Sequence, residues 1–87
     1  MDEKAIASFK EKLDVQHQWP DVYMFKFIVP ASKVNEVTAL FKNDQVEERA
    51  SSNGKYISVT VKAMIGSSDE VIAKYIEAKK IEGIISL

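Results

Sequence analysis

From Lys55 to Ile65 the chain reads KYISVTVKAMI, and apolar and polar positions alternate. Ile57, Val59, Val61 and Ala63 fall on one side; Tyr56, Ser58, Thr60 and Lys62 fall on the other. A period of two predicts a strand with one buried and one solvated face. Asn53-Gly54 stands before it, a strong hairpin signal. A two-residue turn there pairs Ser51 with Tyr56 and Ala50 with Ile57, and sets Glu48 opposite Val59 on the core side. A lone buried carboxylate is costly, so either a bulge in the preceding strand or a longer loop is expected.

The remaining elements follow from the same kind of pattern. Residues 2–14 place Ile6, Phe9 and Leu13 on one narrow helical stripe, with Asp2 and Glu3 at the positive end of the helix dipole. Residues 15–21, VQHQWPD, form a connector that Pro20 keeps from continuing the helix. Val22 to Val29 reads as a strand, with Tyr23, Phe25, Phe27 and Val29 on one face and Met24, Lys26 and Ile28 on the other. Its single charge suits the interior of a sheet. Residues 32–43 return to helical spacing through Val34, Val37, Leu40 and Phe41, with Ser32 as a candidate cap. Residues 46–52, VEERASS, carry the charge expected of an edge strand.

Ser67 and Glu70 match a capping box that opens a third helix, whose expected buried stripe is Val71, Ile72, Tyr75 and Ile76. Glu70 and Lys74 are spaced for an ion pair, and Lys79 and Lys80 suit the negative end of the helix dipole. The last strand is expected over Ile81–Leu87, with Ile81, Ile85 and Leu87 facing one way.

After the leading helix the order is strand, helix, strand, strand, helix, strand. This is an α+β chain of the ferredoxin-like βαββαβ plan: a four-stranded antiparallel sheet, two helices on one face and an extra N-terminal helix. The division expected is a helix and connector over 1–19 and the ferredoxin-like domain over 20–87. The spatial strand order should be fourth, first, third, second, which puts the most apolar strands in the middle and VEERASS on an edge. The face without helices then carries Met24, Lys26, Ile28, Tyr56 and Ile84, with Ser58, Thr60, Lys62, Glu47 and Arg49. Met24, Ile28 and Ile84 should form an apolar patch that needs a cover or a partner. The leading helix offers Ile6, Phe9 and Leu13: either it packs somewhere on its own domain, with this patch as one candidate site, or the patch joins a homodimer or partner interface.

Composition narrows the chemistry. Eighty-seven residues make one domain, and 46% hydrophobic with 29% charged residues is ordinary for a globular chain. Twelve Lys plus Arg against thirteen Asp plus Glu give a net charge of −1, and Arg49 is the sole arginine. That weakens a phosphate-gripping role. With no cysteine there are neither disulfides nor thiolate metal sites. The first residues lack a signal-peptide pattern and no apolar run is long enough to span a membrane, so a cytoplasmic, membrane-free protein is expected.

No motif implies catalysis, a metal or a cofactor. His17, between Gln16 and Gln18, reads as an exposed loop residue with no partner to make it a base. Trp19 reads as a seal on the end of a small core, and otherwise as a binding anchor. Glu47 and Glu48 are adjacent on a strand, so they point to opposite faces and cannot act as an acid–base pair. Ser51, Ser52, Asn53, Gly54 and Lys55 form a candidate ligand loop, since successive turn amides can hold an anion. The hairpin turn alone explains Asn53 and Gly54 and is the preferred reading, and the phosphate-loop pattern is absent.

YMFKFIVP at 23–30, SSNGKYISVTVKA at 51–63 and IEGIISL at 81–87 resemble the YbeD-like family of small bacterial proteins of unknown function. The resemblance covers about residues 20–87 and brings no catalytic motif. The family is similar to ACT-type regulatory domains, which share the fold and often sense small molecules at subunit interfaces. The resemblance therefore implies a non-enzymatic regulatory or binding module, acting through self-association or a protein partner, with a small-molecule effector also open to it.

Two other functions share the plan. Single-stranded nucleic-acid binders present aromatic platforms on the two central strands, where this open face offers only Tyr56. Acylphosphatase-type enzymes need an anion-holding arginine after the first strand, where Pro30-Ala31-Ser32-Lys33 supplies only Lys33.

Overall fold

A computed structural model describes residues 2–87; Met1, the first residue of the leading segment, lies outside the described residues. The elements are α1 (Glu3–Gln16), β1 (Asp21–Pro30), a single 3-10 turn (Ala31–Lys33) running into α2 (Val34–Ala39), β2 (Gln45–Ala50), β3 (Tyr56–Ile65), α3 (Ser68–Lys79) and β4 (Ile85–Ser86). The strands form one antiparallel sheet in the order β2-β3-β1-β4. This is the expected α+β, ferredoxin-like arrangement. The two long apolar strands are central and the charged β2 lies on an edge.

The alternation in β1 and β3 places the core. Asp21↔Ile65 through Pro30↔Tyr56 pair without interruption. Phe25, Phe27, Val29, Val59, Val61, Ala63 and Ile65 are all buried on the same face. Phe41, just past α2, and Tyr75 of α3 both lie against Phe25, with ring centroids at 5.0 and 5.2 Å. Both helices therefore cover that one face. α1 joins the same layer alongside α3: Leu13 is buried, Phe9 meets Tyr75, and Lys10 Nζ donates to the buried Ser68 hydroxyl across 2.9 Å. The leading helix therefore packs on its own domain and leaves the opposite sheet face uncovered.

Several local expectations are revised. The 32–43 helix is a 3-10 turn followed by six α-helical residues, and neither start has a side-chain cap, so Ser32 does not serve as one. Val37 and Phe41 are nevertheless buried as the helical spacing requires. In the α3 cap, Glu70 N–H donates to Ser67 Oγ at 3.3 Å, but the Glu70 carboxylate accepts from Gly66 N–H at 2.8 Å rather than from Ser67. Lys74 turns away from Glu70. Its ammonium donates to the Leu40 carbonyl at 2.6 Å and lies over the Phe41 ring, closing the C-terminal end of α2. Ala78, not Ile76, completes the buried stripe of α3.

The β2–β3 ladder runs from Gln45↔Lys62 to Ala50↔Ile57 with no bulge, and Glu48 stands opposite Val59. Glu48 is exposed because β2 is the edge strand, so its carboxylate stays hydrated. The connecting segment over 51–55 is longer than two residues, yet the ladder keeps the register of the two-residue turn, so neither expected remedy moves Glu48 away from Val59.

The largest departure is the last strand, which holds two residues instead of seven. Gly83 takes φ +80, a left-handed turn that breaks the extended run. Ile81 is buried before the turn, while Ile85 and Leu87 are exposed after it. A Cβ on Gly83 would stand 2.8 Å from Pro30 Cγ, in a backbone conformation that L side chains avoid. Gly83→Ala is therefore expected to cost about 1–3 kcal/mol, read as a lower urea midpoint at unchanged m-value.

Candidate interaction face

The helix-free face is built by the even-numbered residues of β1 and β3 and their neighbours. Val22 pairs with Met64, Met24 with Lys62, Lys26 with Thr60, and Ile28 with Ser58. β2 adds Gln45, Glu47 and Arg49 opposite Lys62, Thr60 and Ser58. Ile28 also pairs with Ile85 of β4. Ile85 therefore takes the place expected of Ile84, which lies partly buried against the core. A shift of one residue in an antiparallel pair exchanges the two faces, and the Gly83 turn supplies that shift.

The face has three zones. Val22, Met24 and Met64 form an apolar end; Ile28, Ile85 and Tyr56 form the other. Between them lie Lys26, Lys62, Arg49, Glu47, Thr60 and Ser58, with a shallow depression of about 190 Å³ lined by Lys26, Glu47, Arg49, Ser58 and Thr60. Val22, Met24, Tyr56, Met64 and Ile85 are five of the eight large apolar side chains left exposed among the described residues. Met24 and Ile85 are each 53% accessible. Lys26, Lys62, Arg49 and Glu47 make no ion pair among the described residues. Three cations against one anion give this face the opposite sign to the chain's net charge of −1.

The 51–55 loop sits beside Tyr56, and its polar groups are turned inward. Ser51 Oγ donates to Asn53 Oδ1 and accepts from Tyr56 N–H, while Lys55 N–H also donates to Asn53 Oδ1. Gly54 N–H closes the turn on the Ser51 carbonyl, with φ +73 at Gly54. Asn53 and Gly54 thus have a complete structural explanation. Ser52 and Lys55 are exposed on the loop's outside.

The connector holds a second cluster that sequence reasoning missed. His17, read as an exposed loop residue, is part-buried: its Nδ1 lies 2.8 Å from Asp21 Oδ2 and its ring stacks on Trp19 at 4.7 Å. The hydrogen bond from His17, with that from Val22 N–H, holds the Asp21 carboxyl below its ordinary range. Trp19 packs against the core, as a seal should, and its indole N–H donates to Asp14 at 2.9 Å. That bond, with further help from Ser68 and Lys10, lowers the Asp14 pKa. Deeper in, the Tyr23 and Tyr75 hydroxyls meet at 3.0 Å. Burial, reinforced by this contact, pushes the Tyr75 phenol up, so it stays neutral well into the alkaline range. The only sequence signal for this cluster is the His17–Asp21 spacing on either side of Pro20. No group of three or more His, Asp and Glu side chains converges as a metal site among the described residues.

The family model described as "Protein of unknown function (DUF493)" matches residues 14–87. The chain belongs to this family. The match takes in the end of α1 and the whole sheet, and it agrees with the YbeD-like resemblance carried by the strand sequences. No curated protein and no solved structure shows a significant match to the chain. No helix among the described residues is long and apolar enough to cross a membrane.

Proposed function

We propose that this DUF493-family chain is a non-enzymatic binding module of regulatory type, and that its helix-free sheet face docks a partner protein. The observation that carries this reading is the concentration of exposed apolar side chains on one sheet face. The chain's own three helices all lie on the other side and cover none of them. Exposed apolar side chains gathered at both ends of one face, around a polar centre, are a feature of interaction sites.

The central charges select among partners. Pairing the face with a second copy would set Lys26, Lys62 and Arg49 against their own kind, which opposes association. An acidic surface with apolar flanks fits instead. Nucleic acid is a weaker fit: the central strands turn Tyr23, Phe25 and Phe27 toward the helices and leave Tyr56 as the one ring on the open side. For an acylphosphatase-type site, Lys33 is engaged with Glu36 at 3.3 Å and Arg49 lies on the far edge strand. The one histidine is held by Asp21 and Trp19.

An interface with a charged centre is sensitive to salt. The complex recovered from native cells is expected to weaken at least about tenfold between roughly 0.05 and 0.5 M salt, measured by titrating the purified partner. A complex indifferent to salt would move the interface off this face. A homodimer would replace the acidic partner with a second copy.

A further inference from the structure

We propose that the outer edge of β1 at Val22–Met24 accepts an extended segment of a partner protein as an added antiparallel strand, in line with β4. This rests on the binding-module reading and names the form of the partner segment; edge and face are different surfaces and can be tested apart.

β1 is paired along its whole length with β3, but on its other side β4 pairs only Phe27 and Ile28, and Leu87 beyond it reaches Lys26. The direction of the backbone groups follows from two hydrogen bonds. Ala31 N–H donates to the Lys55 carbonyl across the β3 side, and Leu87 N–H donates to the Lys26 carbonyl across the β4 side. N–H and C=O of one strand residue point the same way and alternate along the chain. Odd-numbered β1 residues therefore serve β3, and even-numbered ones point outward. Beyond Lys26 the outward groups belong to Met24 and Val22. The Asp21 carboxylate accepts the Val22 N–H at 2.8 Å. The Met24 N–H, the Met24 carbonyl and the Val22 carbonyl have no protein partner among the described residues.

One donor and two acceptors at strand spacing are complementary to an extended backbone. Met24 would exchange both its bonds with a single residue of the added strand. That residue's side chain would lie on the helix-free side, beside Val22 and Met24. Its two neighbours, opposite Tyr23 and Phe25, would point to the helix side. There an apolar depression of about 280 Å³ is lined by Phe9, Tyr23, Tyr75, Ser86 and Leu87. The backbone thus specifies a strand, and the depression specifies apolar side chains at alternate positions. Natural sheet edges are commonly protected by charge, proline or a cover. Here Val22 and Met24 are exposed and uncharged.

The test uses a random-peptide library panned on the full chain, with the selected peptides resynthesised. Selected peptides should carry apolar residues at alternate positions and slow exchange of the Met24 amide about tenfold. N-methylation of the peptide residue facing Met24 should weaken binding about tenfold, because it removes one edge hydrogen bond. Binding should persist in a Tyr56→Asp chain, altered only at the end of β3 remote from Val22 and Met24. Failure to enrich any peptide, selection of helical peptides, or an unchanged Met24 amide would each overturn the edge assignment. If that happens while Tyr56→Asp/Met64→Asp still loses the native partner, the face reading stands and only the edge assignment falls.

Discussion

Phe25→Ala is expected to lower stability by about 3–5 kcal/mol, the range for deleting a fully buried aromatic ring. Phe25 is 0% exposed and lies at the centre of the aromatic cluster. Its ring centroid is 4.8 Å from Tyr23, 5.0 Å from Phe41 and 5.2 Å from Tyr75. The side chain thus joins β1 to the end of α2 and to α3, and no single neighbour can move in to fill the void. A chain of this length has roughly 4–13 kcal/mol of total stability at the usual per-residue range. At the low end of that range the variant should be largely unfolded at 37 °C, and at the high end it should stay folded with a lowered urea midpoint. Urea denaturation followed by far-ultraviolet circular dichroism measures the loss. Met64→Ala, on the exposed face, is the control and should change stability by less than about 0.5 kcal/mol. A loss below about 1 kcal/mol at Phe25 would mean that the two helices do not meet over β1.

The fold was legible because period-two patterns in β1 and β3 are long and regular. Ten-residue strands fix which side chains face the helices, and the edge position of β2 follows from its charge. The C-terminal segment was misread for a physical reason. Ile81, Ile84, Ile85 and Leu87 fit a strand by composition, but Gly83 turns the chain and divides them between core and surface. α2 was overextended because Leu40 and Phe41 continue the helical spacing while the backbone leaves the α-helix after Ala39. Tertiary contact with β1 holds Phe41 in place without helix beneath it.

The candidate face was legible in part. Met24, Lys26, Ile28 and Tyr56 follow from alternation alone. Met64 and Val22 also obey it, yet their contribution emerges only once the β1–β3 register pairs them. Ile85 required the β4 register. His17 and Asp21 come together across the Trp19-Pro20 connector, a loop path that no hydrophobic pattern encodes.

Tyr56→Asp/Met64→Asp is expected to reduce affinity for the native partner at least about 100-fold, the scale of losing two interface anchors. Tyr56 and Met64 occupy opposite ends of β3, so the pair interrupts both apolar zones at once. Each new carboxylate would also face an acidic partner and add repulsion to the lost apolar contact. Both side chains are exposed, at 47% and 65%, so folding should change by no more than about 1 kcal/mol per site. The variant separates binding from stability in a way that a core substitution cannot. A titration by calorimetry reads the affinity, and thermal melting of the same samples verifies the fold.

The most direct test of the docking face is native mass spectrometry of the protein recovered gently from its own cells, wild type beside Tyr56→Asp/Met64→Asp. The wild-type chain is expected to carry a discrete additional protein mass, and the folded variant to appear as the bare monomer. A wild-type chain without added protein mass, or a variant that keeps the same partner mass, would contradict the assignment of the helix-free face as the docking surface.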